Sequence, residues 1–247
     1  AVRGIIQEPP NLPGWTDVRI ADMLRDRFGG RAYLMNDANA GALAEWTFGA
    51  ARGCRNVVFM THGTGMGAGL ILDNRLYEGT TFSAGEVGHM RMADDGPVGY
   101  GKAGSFEGFT SGGGIAQMAK RAAGDRGGKV AFNPSGDIEA ITTKDVGAAA
   151  SAGDPLAIEI LEESGKHLGR GLAFVVDLLT PEIIVLGSLY GRIGRFLEPA
   201  MRRELERECL PKPLAACRIV PAELGERIGD YATFAVAMYR DARRNES

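Results

Sequence analysis

A chain of 247 residues, 45% of them hydrophobic, is long enough for one large domain or two lobes; its 28 Lys and Arg against 31 Asp and Glu give a formal net charge of -3. That balance lacks the basic excess of a nucleic-acid or anionic-membrane binder and points to small-molecule partners. Three widely spaced cysteines without a C-x-x-C pair (Cys54, Cys209, Cys217) speak against a disulfide framework and a cysteine zinc site, and with no secretory signal or membrane-length apolar run they predict a cytoplasmic protein.

Residues 1–15 are turn-rich, carrying Pro9, Pro10, Pro13 and Gly14. "TDVRIADMLRDRFG" then reads as a helix with Thr16 or Asp17 as N-cap and Gly29 as its stop. "RAYLM" reads as a short strand that hands over directly to "NDANAGALAEWTFGAARG", an Ala-rich helix ended near Gly53. "NVVFMTHGTGMGAGLILDNRLYEG" predicts a β-meander: a buried strand, a glycine turn, and a second strand reversing at Asp73-Asn74 into a third.

A Gly-rich loop follows, "GEVGHMRMADDGPVGYGKAGSFEG" over 85–108, and after it a helix from about Thr110. "TTKDVGAAASAG" precedes a long helix starting near Asp154-Pro155, with apolar positions at Leu161, Leu168, Leu172, Val175, Val176 and Leu179. Its Gly165, Gly169 and Gly171 predict close backbone approach. "PEIIVLG" is a buried strand, "GRIGRFLEPAMRRELERECL" an amphipathic helix, "CRIVPAELG" another short strand, and "GDYATFAVAMYRDARRN" a last helix. A meander first and alternating elements afterwards predict a mixed α/β architecture.

Three places carry candidate chemistry. Asn36 and Asp37 fall at a strand-to-helix junction, a position that presents side chains to ligands, although capping of the helix accounts for Asp37 equally well. In "GTGMGAG", Gly63, Gly65, Gly67 and Gly69 recur at every second position, so one face of an extended chain lacks Cβ atoms. Phosphates or another backbone can approach there, using turn N–H groups and the Thr64 hydroxyl; a tight structural hairpin is the alternative. "GEVGH" with Glu107 gathers two carboxylates and an imidazole, groups that fix the direction of hydroxyls on a polyol. His62 and His167 are read as local or inert.

In this order and spacing, "PNLPGW", "NDANAGALAEW", "GTGMGAGLILDNRLYEG", "SAGEVGHM", "GDPLAIEILEESGKHLGRGLAFVVDLLTPEIIVLG" and the late "LG" closely resemble the ROK family of bacterial sugar kinases and sugar-responsive repressors. The resemblance implies a two-lobed actin-like ATPase (ribonuclease-H-like) sugar kinase fold. Residues 1–35 would belong to the small lobe and 36–247 to the large one, with a final helix at about 229–243 packing back on the small lobe.

By the same resemblance Asp37 matches the catalytic base and Asn36, Glu86, His89 and Glu107 the sugar ligands. Gly63, Thr64, Gly65 and Gly67 match the phosphate turn, and Gly187 the nucleoside side of the second lobe. ATP with Mg2+ is the implied phosphoryl donor, polyphosphate the alternative, and a homodimer without membrane attachment the implied state.

Two departures stand out. Val98, Tyr100 and Ser105 occupy the positions of the family's three zinc-binding cysteines, so no structural zinc is expected; Tyr100 and Phe106 are expected to clasp the loop instead. The family's opening D-x-G-G-T phosphate strand has no counterpart here, so the first lobe is expected to be incomplete and activity of these residues alone impaired. The sequence therefore predicts a hexose kinase acting at C6 of glucose or a relative. A sugar-sensing regulator, whose helix-turn-helix would precede these residues, and a non-catalytic sugar-binding homologue are its rivals.

Overall fold

The protein is described by a computed structural model over residues 4–6 and 14–244, so Pro9, Pro10, Pro13 and most of "PNLPGW" lie outside the described residues. Five strands form one sheet in the order β3-β2-β1-β6-β7, with β1 Val57–Met60, β2 Ala68–Leu72, β3 Arg75–Tyr77, β6 Ile183–Leu186 and β7 Arg218–Pro221. The β1-β2-β3 meander is antiparallel, whereas β1-β6-β7 pair in parallel through helical crossovers. The hairpin of β2 and β3 turns at Asp73-Asn74, both at positive φ, as their short polar side chains tolerate.

β1 and β6 are buried along their whole length because helices cover both faces of the sheet. Alternation then sorts their side chains. Val58, Met60, Ile184 and Leu186 enter one core beneath α4 Gly112–Gly124, α5 Thr143–Ser151, α6 Pro155–Leu179 and α7 Ser188–Glu208. Val57, Phe59, Ile183 and Val185 enter the other, under α2 Asp37–Phe48 and α9 Ile228–Arg244.

Glycines set the depth of packing at two interfaces. A Cβ at Gly165 or Gly169 of α6 would stand 2.3 or 2.4 Å from a carbonyl oxygen of α7, so both must be glycine for these helices to touch backbone to backbone. Gly171 instead makes room for the Phe106 ring. On the opposite face, Gly69 of β2 admits the backbone of α2, where a Cβ would meet Ala38 O at 2.3 Å.

Four readings of the sequence change. "RAYLM" is not a strand: Arg31 and Tyr33 bind Asp241 of α9 through their side chains, and among the described residues no strand pairs with the segment. α1, Ile20–Phe28, begins after Arg19 because Val18 is held in an antiparallel bridge to Ile6; Thr16 and Asp17 therefore do not cap it, while Gly29 does close it. α2 closes at Gly49, where the Gly49 N–H bonds Glu45 O. The helix after the Gly-rich loop is two, α3 Phe106–Thr110 and α4, joined at Ser111, and "TTKDVGAAASAG" forms α5 behind a capping box of Thr142 and Asp145. α8, Pro211–Ala216, fills the link from α7 to β7. Among the described residues no helix is long and apolar enough to cross a membrane.

Candidate active site

The ends of β1 and the loops around it enclose a polar cavity of about 880 Å3. Asn36, Asp37, Gly63, Thr64, Gly65, Gly67, Glu86, His89 and Glu107 all line it. Gly187 lies instead in an adjoining cavity of about 310 Å3, together with Ser188, Ala222, Gly225 and Ile228. Asp37 and Thr61 line both.

At the α2 junction the capping question resolves in favour of Asn36. Its Oδ1 accepts hydrogen bonds from Ala38 N at 3.0 Å and Asn39 N at 3.1 Å, as an N-cap does. Asp37 is the first helical residue, its carboxylate exposed between the two cavities; among the described residues its one hydrogen bond is from the N–H of Ala38, at 2.9 Å.

The alternating glycines divide their labour along the turn. Gly69 receives α2, as above, and Gly65 receives a carboxylate, since a Cβ there would approach Glu107 Oε2 to 2.9 Å. Gly63 has nothing closer than Thr61 O at 3.9 Å, so this end of the glycine face is open to a ligand. The turn is anchored from behind: Gly112 N and Gly113 N of α4 donate to the carbonyls of Gly63 and Thr64, and Thr61 Oγ1 accepts from Gly67 N at 3.0 Å. The N–H groups of Thr64 and Gly65 and the Thr64 hydroxyl have no partner among the described residues, which leaves three donors for an anion. These donors fit a phosphate chain.

The second cavity is bounded by the N-terminus of α7, 21 residues long and capped by Gly187, which has no side chain to satisfy the first N–H groups. Only glycine fits there, since a Cβ would stand 1.9 Å from Thr61 O.

Glu86, His89 and Glu107 reach the first cavity from two elements. Glu86 precedes and His89 ends a single 3-10 turn, Val87–His89, that is stitched to β2 by Ala68 N donating to Gly85 O. Glu107 lies in α3; its Oε2 accepts Met66 N at 2.9 Å, so one carboxylate holds the glycine turn while lining the cavity beside it. His62 is fully buried at the end of β1 and lines neither cavity. Its Nε2 donates to Thr110 O at 3.0 Å, and burial pushes its pKa down to about 4, so it is neutral at physiological pH. His167, far from inert in packing, lies stacked on Phe109 with ring centroids 3.6 Å apart and bonds Glu163.

The expected Tyr100–Phe106 clasp is not what holds the loop. Phe106 is fully buried in the core against Gly171, while Tyr100 is 64% exposed and meets the His89 ring edge-on at 5.1 Å. The loop is pinned by hydrogen bonds instead. Gln117 exchanges two with the backbone of Val98, Lys102 Nζ donates to His89 O at 2.5 Å, and Phe106 N donates to Met90 O at 2.8 Å. Val98 and Gly99 form β4, paired with Lys102–Ala103 as β5; Ser105 caps α3 by accepting Gly108 N. A hydrocarbon, a phenol and a capping hydroxyl are not a donor set for zinc. Among the described residues no group of three or more His, Cys, Asp or Glu side chains is arranged to hold a metal ion. Sequence reading passed over Thr61, Phe82 and Ser83 as lining residues; an aromatic within the polar run "GTTFSAG" was the available signal for Phe82.

Comparison with known proteins places the chain in a family. The profile described as ROK family matches residues 2–238. A glucokinase of Thermotoga maritima is 30% identical over 92% of this chain and 72% of its own length. A xylose repressor of Caldicellulosiruptor bescii is 27% identical over 91% of this chain and 56% of its own. The crystal structure of a ROK family glucokinase from Streptomyces griseus, in complex with glucose and AMPPNP, superposes with a TM-score of 0.80 at 29% identity, covering 97% of this chain and 77% of that one.

Proposed function

Since the chain belongs to the ROK family and has its actin-like ATPase fold, we propose that it is the core of an ATP-dependent hexose kinase of glucokinase type, phosphorylating the primary hydroxyl of glucose or a close relative. The observation that carries this is the position of Asp37, exposed at the boundary of two cavities and relieved of capping by Asn36. Glucokinase relatives and a fold neighbour holding glucose and AMPPNP support it.

In this reading the sugar lies in the larger cavity, its hydroxyls held by Asn36, Glu86, His89 and the second oxygen of Glu107. Asp37 accepts a hydrogen bond from the attacking hydroxyl and takes its proton as the oxygen bonds to the terminal phosphorus; the bond from that phosphorus to the bridging oxygen breaks and the nucleoside diphosphate leaves. The free N–H groups of Thr64 and Gly65, with the Thr64 hydroxyl, bind phosphate oxygens, and the nucleoside side falls at Gly187. Mg2+ carried by the triphosphate supplies charge neutralisation. We assign residues up to 35 to the small lobe and the remainder to the large one, and take the chain to work as a dimer in the cytoplasm.

Replacing Asp37 by Asn is the direct test. Sugar binding, measured calorimetrically, is expected to persist while phosphoryl transfer falls by about 10²–10⁴-fold, the usual worth of a positioned base. Retained turnover removes the base assignment. The similarity to a xylose repressor favours a second reading, a sugar sensor on the same lobes. A coupled assay with Mg-ATP and a hexose panel separates the two, because sugar-dependent stabilisation without turnover by the unaltered protein identifies a sensor.

A further inference from the structure

Among the described residues, seven that are not glycine hold a positive φ. Asp73 and Asn74 form the hairpin turn, Thr180 is the left-handed C-cap of α6, and Asp17 is a short polar residue of the kind that tolerates this region. The other three carry rings: His62, Phe82 and Tyr100, at φ of 37°, 61° and 45°. His62 is buried and hydrogen-bonded, so its surroundings hold it in place.

Phe82 and Tyr100 have no such support. They are 44% and 64% exposed, so core packing does not offset a conformation that bulky side chains avoid. They belong to separate loops, one after β3 and one between β4 and β5, yet both line the cavity of about 880 Å3 that contains Glu86, His89 and Glu107. Tyr100 also braces the edge of the His89 ring. Two exposed aromatic rings in a cavity that also presents carboxylates, hydroxyls and an imidazole match the amphiphilic shape of a pyranose. Its rim of hydroxyls suits carboxylates and imidazole, while its faces carry C–H groups that suit an aromatic ring.

We propose that Phe82 and Tyr100 are specificity-determining contacts that stack on the C–H faces of a gluco-configured pyranose, so that the site selects its sugar by face as well as by hydroxyl pattern. An axial hydroxyl at C2 or C4 interrupts such a face, which disfavours the manno and galacto epimers. The inference rests on the sugar-binding part of the proposed function and is independent of whether the chain is a kinase or a sensor.

The test compares the unaltered chain with Phe82→Gly, Tyr100→Gly and Tyr100→Phe by titration calorimetry against glucose, mannose and galactose, with thermal unfolding in parallel. Glycine adopts the observed φ without strain, so each glycine variant is expected to keep or raise the melting temperature while glucose affinity falls about tenfold, the size of one good ring contact. The preference for glucose over its epimers narrows in both, and Tyr100→Phe, which keeps the ring, retains affinity and preference. Unchanged affinity and preference in both glycine variants overturns the proposal, as does a fall in melting temperature that accounts for the lost binding. Binding of none of the three hexoses by the unaltered chain overturns the sugar-site reading itself, and this inference with it.

Discussion

Glu45 is a fully buried carboxylate near the end of α2 that satisfies three backbone donors from two directions. Its Oε2 accepts Ala50 N at 2.8 Å and Glu223 N at 3.3 Å, and its Oε1 accepts Leu224 N at 3.0 Å. The clamped peptide lies between Ala222 and Gly225, both of which line the smaller cavity. Glu45→Ala strands those donors, each worth roughly 1–3 kcal/mol when buried, so a stability loss of about 3 kcal/mol or more is expected by urea denaturation. Because the released linker borders the Gly187 cavity, nucleotide affinity is expected to fall more than sugar affinity. His62 gives the pH counterpart. Its pKa is depressed from 6.5 to about 4 by burial, so the unfolded chain binds the extra proton first. The stability associated with a neutral His62 is complete above about pH 6.5 and is lost as pH falls toward 4, on the order of 3 kcal/mol in all. Denaturation midpoints measured across that range should fall less steeply in His62→Gln, and equal slopes in both proteins would show that the buried ring is not the group responsible.

Among the elements, α6 separates two effects that act on any glycine in a helix. Replacing glycine by alanine raises helix propensity by roughly 1 kcal/mol, yet at Gly169 the new Cβ would lie 2.4 Å from Met201 O of α7. Gly169→Ala is therefore expected to destabilise by several times that gain, about 2–3 kcal/mol, as overpacking of a close interface does. Gly191, in α7 with nothing within 4 Å of its Cβ position, is the control: Gly191→Ala is expected to stabilise by about 0.5–1 kcal/mol in the same denaturation series. The three glycines of α6 were legible as close-approach residues because they interrupt an otherwise regular apolar stripe; which neighbour each one met was not. The same boundary runs through the other elements. β3, with only Leu76 buried, was readable from the Asp73-Asn74 turn before it, whereas β1, β2 and β6 were readable because strands buried on both faces are nearly pure apolar runs. "RAYLM" has the same look and is not a strand, because a strand exists only where another backbone offers its ladder, and that partner is a matter of tertiary placement. The site followed the same rule: Asn36, Asp37, Glu86, His89 and Glu107 came to one cavity as their motifs implied, whereas the division of capping between Asn36 and Asp37 depended on where α2 begins.

At the scale of the whole molecule, the site is held by the sheet and its two cores. The C-terminal end of β1 delivers the glycine turn, β6 delivers Gly187 beside it, and β2 fixes the loop of Glu86 and His89 through Ala68 and Gly85. The loop over 85–108 is then closed by Gln117, Lys102, Ser105 and backbone bonds, with Val98, Tyr100 and Ser105 offering no thiolate. A fold fastened this way has no reason to respond to chelation. Thermal unfolding of the purified protein with and without excess EDTA is therefore expected to give the same melting temperature. A saturating hexose is expected to raise that temperature equally in both samples, by a stabilisation of roughly 2.7 kcal/mol at a hundredfold excess over Kd. Gln117→Ala, which removes both bonds to Val98, is expected to reduce the sugar-dependent shift while leaving the unliganded transition nearly in place, because Val98 and Gln117 are at the surface and the cores are untouched. A melting temperature that drops on chelation, or zinc found at one equivalent per chain by metal analysis, would mean that the loop is held by a metal after all, and by ligands other than Val98, Tyr100 and Ser105.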